Sequence, residues 1–266
     1  MHLIESDRHE LIEAVGLLEN PGIAVKISNV VGMPIEKGLE MLPKNWSIKI
    51  NDVTKSALLK AIDVAVNTLE SKPKKGPANW FHKGAVATSG ALGGFFGLGA
   101  LAIELPVTTT LMLRSIADIA HNQGEDIRDM PTKLACLEVF ALGGNSESDN
   151  AAESGYFAVR AAMAKSVAEA AEFVAVTQIG KESAPVLVRF ITRIAERFSI
   201  PVSQKVAAQA IPLVGAAGGA LVNTLFMDHF QDMAKGHFIV RKLERKYDKD
   251  FIRELYEEIR RSEESN

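Results

Sequence analysis

The chain has 266 residues, enough for one large core or two smaller ones. A net charge of −3, a pI near 6.1 and an aromatic content of 6% exclude the basic footprint and the stacking platforms that nucleic-acid binding requires. The single cysteine, Cys136, excludes an internal disulfide and fits a reducing compartment; its apolar flanks, LACLEVF, mark a buried thiol rather than a nucleophile.

Alanine, leucine and glutamate dominate and no alternating strand pattern recurs, so the chain reads as nearly all helix. The first helix is expected from a cap at Ser6 or Asp7 through Glu19, ending at Asn20-Pro21. Its charged, amphipathic amino-terminal sequence has no apolar signal core, so a cytoplasmic location is expected. Short helical pieces follow from Gly22 to Leu42, interrupted at Gly32-Met33-Pro34 and Leu42-Pro43. Asn51-Asp52 is expected to cap a longer helix to about Glu70, and Lys72–Pro77 is a basic turn.

Gly84–Ile103 carries no charge and holds glycines four apart, at Gly90 and Gly94 and at Gly93 and Gly97. Glycine inside a helix costs roughly 0.5–1 kcal/mol relative to alanine, so this repetition implies a smooth stripe for close packing. Pro106 is expected to end that helix and to open the next, Val107–Asn122, which closes at Gln123-Gly124. Asp129 and Pro131 open another that stops at Gly143-Gly144, and Asn145–Asn150 reads as a polar loop. Helices over about Asn150–Ile179, Glu182–Phe198, Ser203–Ala210, Pro212–Ala234 and Phe238–Arg261 complete the chain. A second uncharged segment, Val206–Met227, repeats the small-residue spacing at Gly215 and Gly219.

The predicted fold is therefore all-α: a single compact multi-helix domain around two closely packed, central glycine-rich helices. Residues 1–45 form a helical preface, 46–261 the main domain and 262–266 a frayed tail. Both uncharged segments have about the 20-residue length that a bilayer requires. Six glycines, Thr88 and Ser89 dilute the first, and Gln209, Pro212 and Asn223 dilute the second. Mean hydropathy is only +0.07, which favours a buried core or peripheral lipid contact over a span.

With these landmarks placed, the chain resembles the EcsC protein family. The resemblance rests on Lys83-Gly84, Ser89-Gly90, the glycine-rich run, Glu104-Leu105-Pro106, Leu113-Arg114, Ile116–Ala120, Gly124-Glu125-Asp126 and Leu137–Gly143. It resumes at Ser203, Lys205, Ile211-Pro212, Gly215, Gly218-Gly219-Ala220, Asn223, Phe238 and Arg241. The family commonly has Asp-Leu-Pro where this chain has Glu104, and tyrosine where it has Gln123. The resemblance implies a bacterial protein working beside an ABC-transporter system, and with it membrane-associated work, but no reaction.

Several polar residues sit inside apolar segments, where charge is costly unless paired. Arg114, Asp118 and His121 share one helix face, with Glu104 just before them. Glu138 lies within LACLEVFALGG, and Asn223, Asp228, His229 and Asp232 lie on or beside the second glycine-rich segment. One reading is a network of ion pairs and hydrogen bonds; another is a polar pocket for an anionic or lipid head group, with Arg114 as the clamp. A third is a metal or hydrolytic centre, because Asp118/His121 and His229/Asp232 have carboxylate–histidine spacing. HExxH, paired ExxH motifs and Cys/His clusters are missing, as are a phosphate loop and a nucleophile elbow around Ser89.

The function expected is that of a membrane-associated accessory protein without enzymatic activity. It would bind a lipid or apolar ligand, or a membrane-protein partner such as a transporter, and be cytoplasmic or peripheral at the inner membrane. No cofactor is expected. The alternatives are an enzyme, such as a hydrolase using Glu104, Asp118, His121 or Asp228 in a polar or metal site inside the bundle, and a soluble scaffold for protein interactions.

Overall fold

The structure is a computed structural model, and it describes residues 2–19, 22–68, 98–144, 155–176, 185–211 and 215–264. Every regular element among these residues is helical. In chain order they are α1 (Glu5–Leu18), α2 (Ile23–Val31), α3 (Ile35–Glu40), α4 (Trp46–Thr68), α5 (Leu98–Asn122), α6 (Met130–Leu142), α7 (Tyr156–Val176), α8 (Pro185–Ala210), α9 (Gly215–Lys246) and α10 (Lys249–Glu264). The expected all-α architecture is thus observed. The glycines of Gly84–Gly97, the basic turn at Lys72–Pro77 and the loop at Asn145–Asn150 lie outside the described residues.

Long α9 is the axis of the assembly. Helices α1 and α5 pack along it, α8 and α6 lie against it, and α10 folds back beside α1. Helix α4 lies across α5 and α8, while α2 and α3 pack on α8 and α7 on α6 and α8. Leu11, Ile27 and Ile35 of the preface belong to the same buried cluster as the rest, so α1–α3 are built into the common core. At its centre Phe140 of α6, Phe198 of α8 and Phe226 and Phe230 of α9 meet, with ring centroids 4.8 Å apart for Phe140–Phe198 and 5.2 Å for Phe198–Phe230. Each such ring withdrawn from water stabilises the fold by about 1.5–3 kcal/mol, and the tilted geometries are those that aromatic quadrupoles prefer.

Several boundaries differ from expectation, each for a local reason. Helix α1 begins at Glu5 without a side-chain cap, because Asp7 is buried and accepts from Lys246 at 2.6 Å and from the Tyr247 hydroxyl at 2.7 Å. Helix α4 starts at Trp46, so Asn51 and Asp52 are exposed interior positions rather than caps. Helix α5 runs straight through Pro106. The bond that proline cannot make would have reached the carbonyl of Ala102, an exposed residue that water can serve.

Helix α8 likewise continues through Pro201, joining two predicted helices. Pro201 lacks the N–H that would bond the Arg197 carbonyl, and Gly144 packs directly on that carbonyl. The Arg197 side chain turns back to donate to the carbonyls of Ala141 (3.1 Å) and Gly144 (3.0 Å), which locks the end of α6 onto α8. Helix α9 passes through Lys235-Gly236-His237, where a break was expected. Gly236 has no side chain because Leu18 and Ala14 of α1 occupy that space. The break comes instead at Tyr247-Asp248, where Asp248 Oδ1 accepts from the backbone N–H groups of Asp250 (3.0 Å) and Phe251 (3.1 Å) and so caps α10. Other predicted stops are observed, at Gly32 (φ 69°) after α2, at Gly124 (φ 82°) after α5 and at Asp129-Met130-Pro131 before α6.

Candidate functional site

Helix α5 turns Glu104 inward together with Leu101, Leu105 and Thr108, although the sequence around it is uncharged. The Glu104 carboxylate meets the Lys205 ammonium of α8 at 2.7 Å and the Asn223 amide of α9 at 3.0 Å, both donating to Oε1. Side-chain exposure is 6% for Glu104 and 0% for Lys205, so this ion pair is shut away from bulk water. The ammonium also lies 5.1 Å from the centre of the Phe226 ring, within cation–π range. Burial pulls the Lys205 pKa below its usual value, and the Glu104 charge opposes that fall. One turn on from Glu104, Thr108 buries its hydroxyl with no hydrogen-bond partner among the described residues. Three helices are thereby pinned at one point by a charge pair that the apolar surroundings would otherwise reject.

A second polar cluster fastens the other end of α5. After the left-handed turn at Gly124, the buried Glu125 carboxylate accepts from Arg241 Nε at 2.8 Å, from Arg245 and from the Thr132 hydroxyl at 3.1 Å. These donors hold the Glu125 pKa below the usual carboxylate value, although burial pushes the other way. A third lies between α6, α7 and α9. Arg160 grips Glu244 through two bonds of 2.7 and 3.1 Å, and the Tyr156 hydroxyl meets His237 Nδ1 at 2.9 Å. Glu138 is buried beside them, its pKa raised by burial against the pull of Arg160 and Arg241.

The other sequence candidates are dispersed. Arg114 and His121 are exposed and Asp118 is half-buried, so their shared face looks outward and Lys205, not Arg114, neutralises Glu104. Asp228 is half-buried. His229 is buried and donates from Nε2 to the Gly143 carbonyl at 3.1 Å, and burial pulls its pKa down to about 4. Asp232 pairs with Lys26 at 3.2 Å. Among the described residues, no group of three or more His, Cys, Asp or Glu side chains is placed to hold a metal ion.

Glu104, Lys205 and Asn223 come from three separate pieces of the ordered pattern by which the chain resembles EcsC proteins, and the fold brings all three within hydrogen-bonding distance. Glu125 and Arg241, two more of its positions, pair in the second cluster. The EcsC protein family model matches residues 22–243 of this chain. The chain belongs to the EcsC protein family. No curated protein and no solved structure matches it. Lys205 was missed as an EcsC site residue because a single lysine looks solvated; its signal was its place in the buried stripe with Phe198, Val202 and Ala208. No described helix is long and apolar enough to cross a membrane.

Proposed function

We propose that this EcsC-family chain is a non-enzymatic accessory protein that works at a membrane, binding lipid or a membrane-protein partner through the end of the fold where Glu104 meets Asn223. One observation carries the reading: in sequence, uncharged Gly84–Ile103 ends beside Glu104 and uncharged Val206–Met227 follows Lys205 and includes Asn223, and the charges that border them, Glu104 and Lys205, are turned inward and paired. Exposed apolar side chains are described on the same stretches of α5 and α9. Ile103 is 75% exposed, Val107 50% and Leu221 44%, and isolated water contact at such residues is ordinary only when they are scattered. A cytoplasmic, peripheral location follows from this reading, and transporter components are the partners that the family resemblance suggests.

The test is fractionation of cells producing the full chain, together with native mass spectrometry of gently purified protein. Recovery with membranes, or a co-purifying phospholipid, is the expected result. A wholly soluble, lipid-free protein would sink the proposal.

A further inference from the structure

We infer that α1 is a displaceable acidic cover on α9, and that the face it covers takes an anionic phospholipid surface when α1 lifts; this goes beyond the membrane reading above and rests on it. Lys235, Ile239, Lys242 and Lys246 recur at i, i+4, i+7 and i+11, so they form one straight stripe of α9. Gly236 and Leu243 lie beside that stripe, and Ile239 and Leu243 are buried. Lysines interleaved with apolar residues in this way are the pattern of a helix that lies on an anionic membrane surface. In the folded chain the pattern faces protein instead, because Leu18 and Ala14 of α1 close over Gly236.

The cover carries the opposite charge. Lys246 meets Asp7 at 2.6 Å, Lys242 meets Glu10 at 2.8 Å, and Lys235 pairs with Glu13. Helix α1 thus offers the three lysines a row of anionic oxygens, as lipid phosphates would. Most of this hold is open to water. The side chains of Glu10, Glu13 and all three lysines are 35–47% exposed, and ion pairs of that kind are individually weak and screened by salt. Buried Asp7, which also accepts from the Tyr247 hydroxyl, is the exception. The buried apolar residues of α1 are Leu11, Ala14 and Val15. Its carboxyl-terminal end has a separate anchor, where Glu19 accepts from the Tyr256 hydroxyl at 2.8 Å and from the Tyr156 backbone N–H at 3.2 Å. A phosphate surface competes with α1 for the same lysines, and since both cannot occupy them, lipid shifts the chain toward the uncovered form.

Breaking the same two ion pairs from either side separates a cover from a merely structural helix. Glu10→Gln with Glu13→Gln loosens α1 and leaves the lysines, so flotation of the full-length protein with vesicles of phosphatidylcholine and phosphatidylglycerol should strengthen severalfold. Lys235→Gln with Lys242→Gln loosens the same contact but removes cations, so binding should weaken about 25-fold, at about 1 kcal/mol for each lysine near an anionic surface. The difference between the two variants should vanish on phosphatidylcholine alone. Amide hydrogen exchange of the parent should show residues 5–18 losing protection on the anionic vesicles while α5 keeps its own. Thermal melting of each variant confirms that it is folded when binding is read. If the parent binds anionic vesicles with α1 still protected, and the two variants change binding in the same direction or not at all, the cover falls while the membrane reading stands. If neither the parent nor the glutamate variant binds either vesicle, lipid binding falls with it.

Discussion

Lys205 and Glu104 stand 101 residues apart in sequence and 2.7 Å apart in space, ammonium to carboxylate, with almost no access to solvent. In that setting neither charge is tolerable alone. Lys205→Met leaves the carboxylate buried without its counter-ion and is expected to cost about 3–5 kcal/mol of stability. Replacing both, as Lys205→Met with Glu104→Leu, removes the stranded charge and should cost clearly less than the two single losses summed. Urea denaturation of the three variants gives the coupling; additive losses would contradict a closed ion pair.

Histidine burial makes the fold sensitive to mild acid. His229 ionises at about 4 in the folded chain against 6.5 ordinarily, because burial disfavours its charged form. Between those values the unfolded chain binds more protons, so stability is complete above the ordinary value and falls as pH drops through the window. His229 alone should cost about 2 kcal/mol between pH 7 and pH 5. His237, also buried and held well below 6.5, acts in the same sense, whereas Glu138, raised by burial, acts in the opposite one. Urea melts at the two pH values should show the loss, and His229→Gln, which retains a donor for the Gly143 carbonyl, should reduce it. An unchanged pH dependence in that variant would remove His229 from the account.

Two glycines should respond to alanine with opposite signs. A Cβ on Gly38 would lie 2.6 Å from the Ala207 carbonyl oxygen, a backbone atom that cannot move aside cheaply, so Gly38→Ala is expected to destabilise by about 1–3 kcal/mol. Gly16 sits within α1 with nothing within 4 Å of a new Cβ, and Gly16→Ala should stabilise by about 0.5–1 kcal/mol. Thermal denaturation of both distinguishes close helix approach from ordinary helix propensity; the same sign for both would refute it.

The buried hydroxyl of Thr108 has no partner among the described residues, so exchanging it for a methyl group removes an unpaired polar atom at nearly constant shape. Thr108→Val should stabilise the protein by about 1 kcal/mol in equilibrium unfolding. A loss of similar size would mean that a bound water or ligand uses the hydroxyl.

Cys136 is fully enclosed, and burial pushes its thiol up to about 12. Alkylation by iodoacetamide at neutral pH should therefore be negligible in the native protein and rapid in urea. Stoichiometric labelling without denaturant would show that α6 opens readily.

Much of the architecture was legible because helical periodicity and glycine or aspartate stop signals are local. Gly32, Gly124 and Asp129 end or begin helices where the sequence says they should, since a left-handed turn or an N-terminal position is decided by a few neighbours. Pro106, Pro201 and Gly236 misled for the converse reason. Each is a local breaker whose cost is met by its surroundings: the exposed position of Ala102, the packing of Gly144 and Arg197, and the side chains of α1. Glu104 and Asn223 were recognisable as polar residues in apolar segments, but Lys205 was not, because its burial depends on α5 and α9 closing over it.

The sequence by itself determined the helical class, the family, the buried inert cysteine and the uncharged character of two segments. These depend on residue type and short-range spacing. Only the tertiary structure decided that Glu104, Lys205 and Asn223 form one closed cluster while Arg114 faces outward on the same helix as Glu104. An ion pair is a relation between distant side chains in a low-dielectric interior, and which face of a helix becomes interior is settled by the helices that pack upon it.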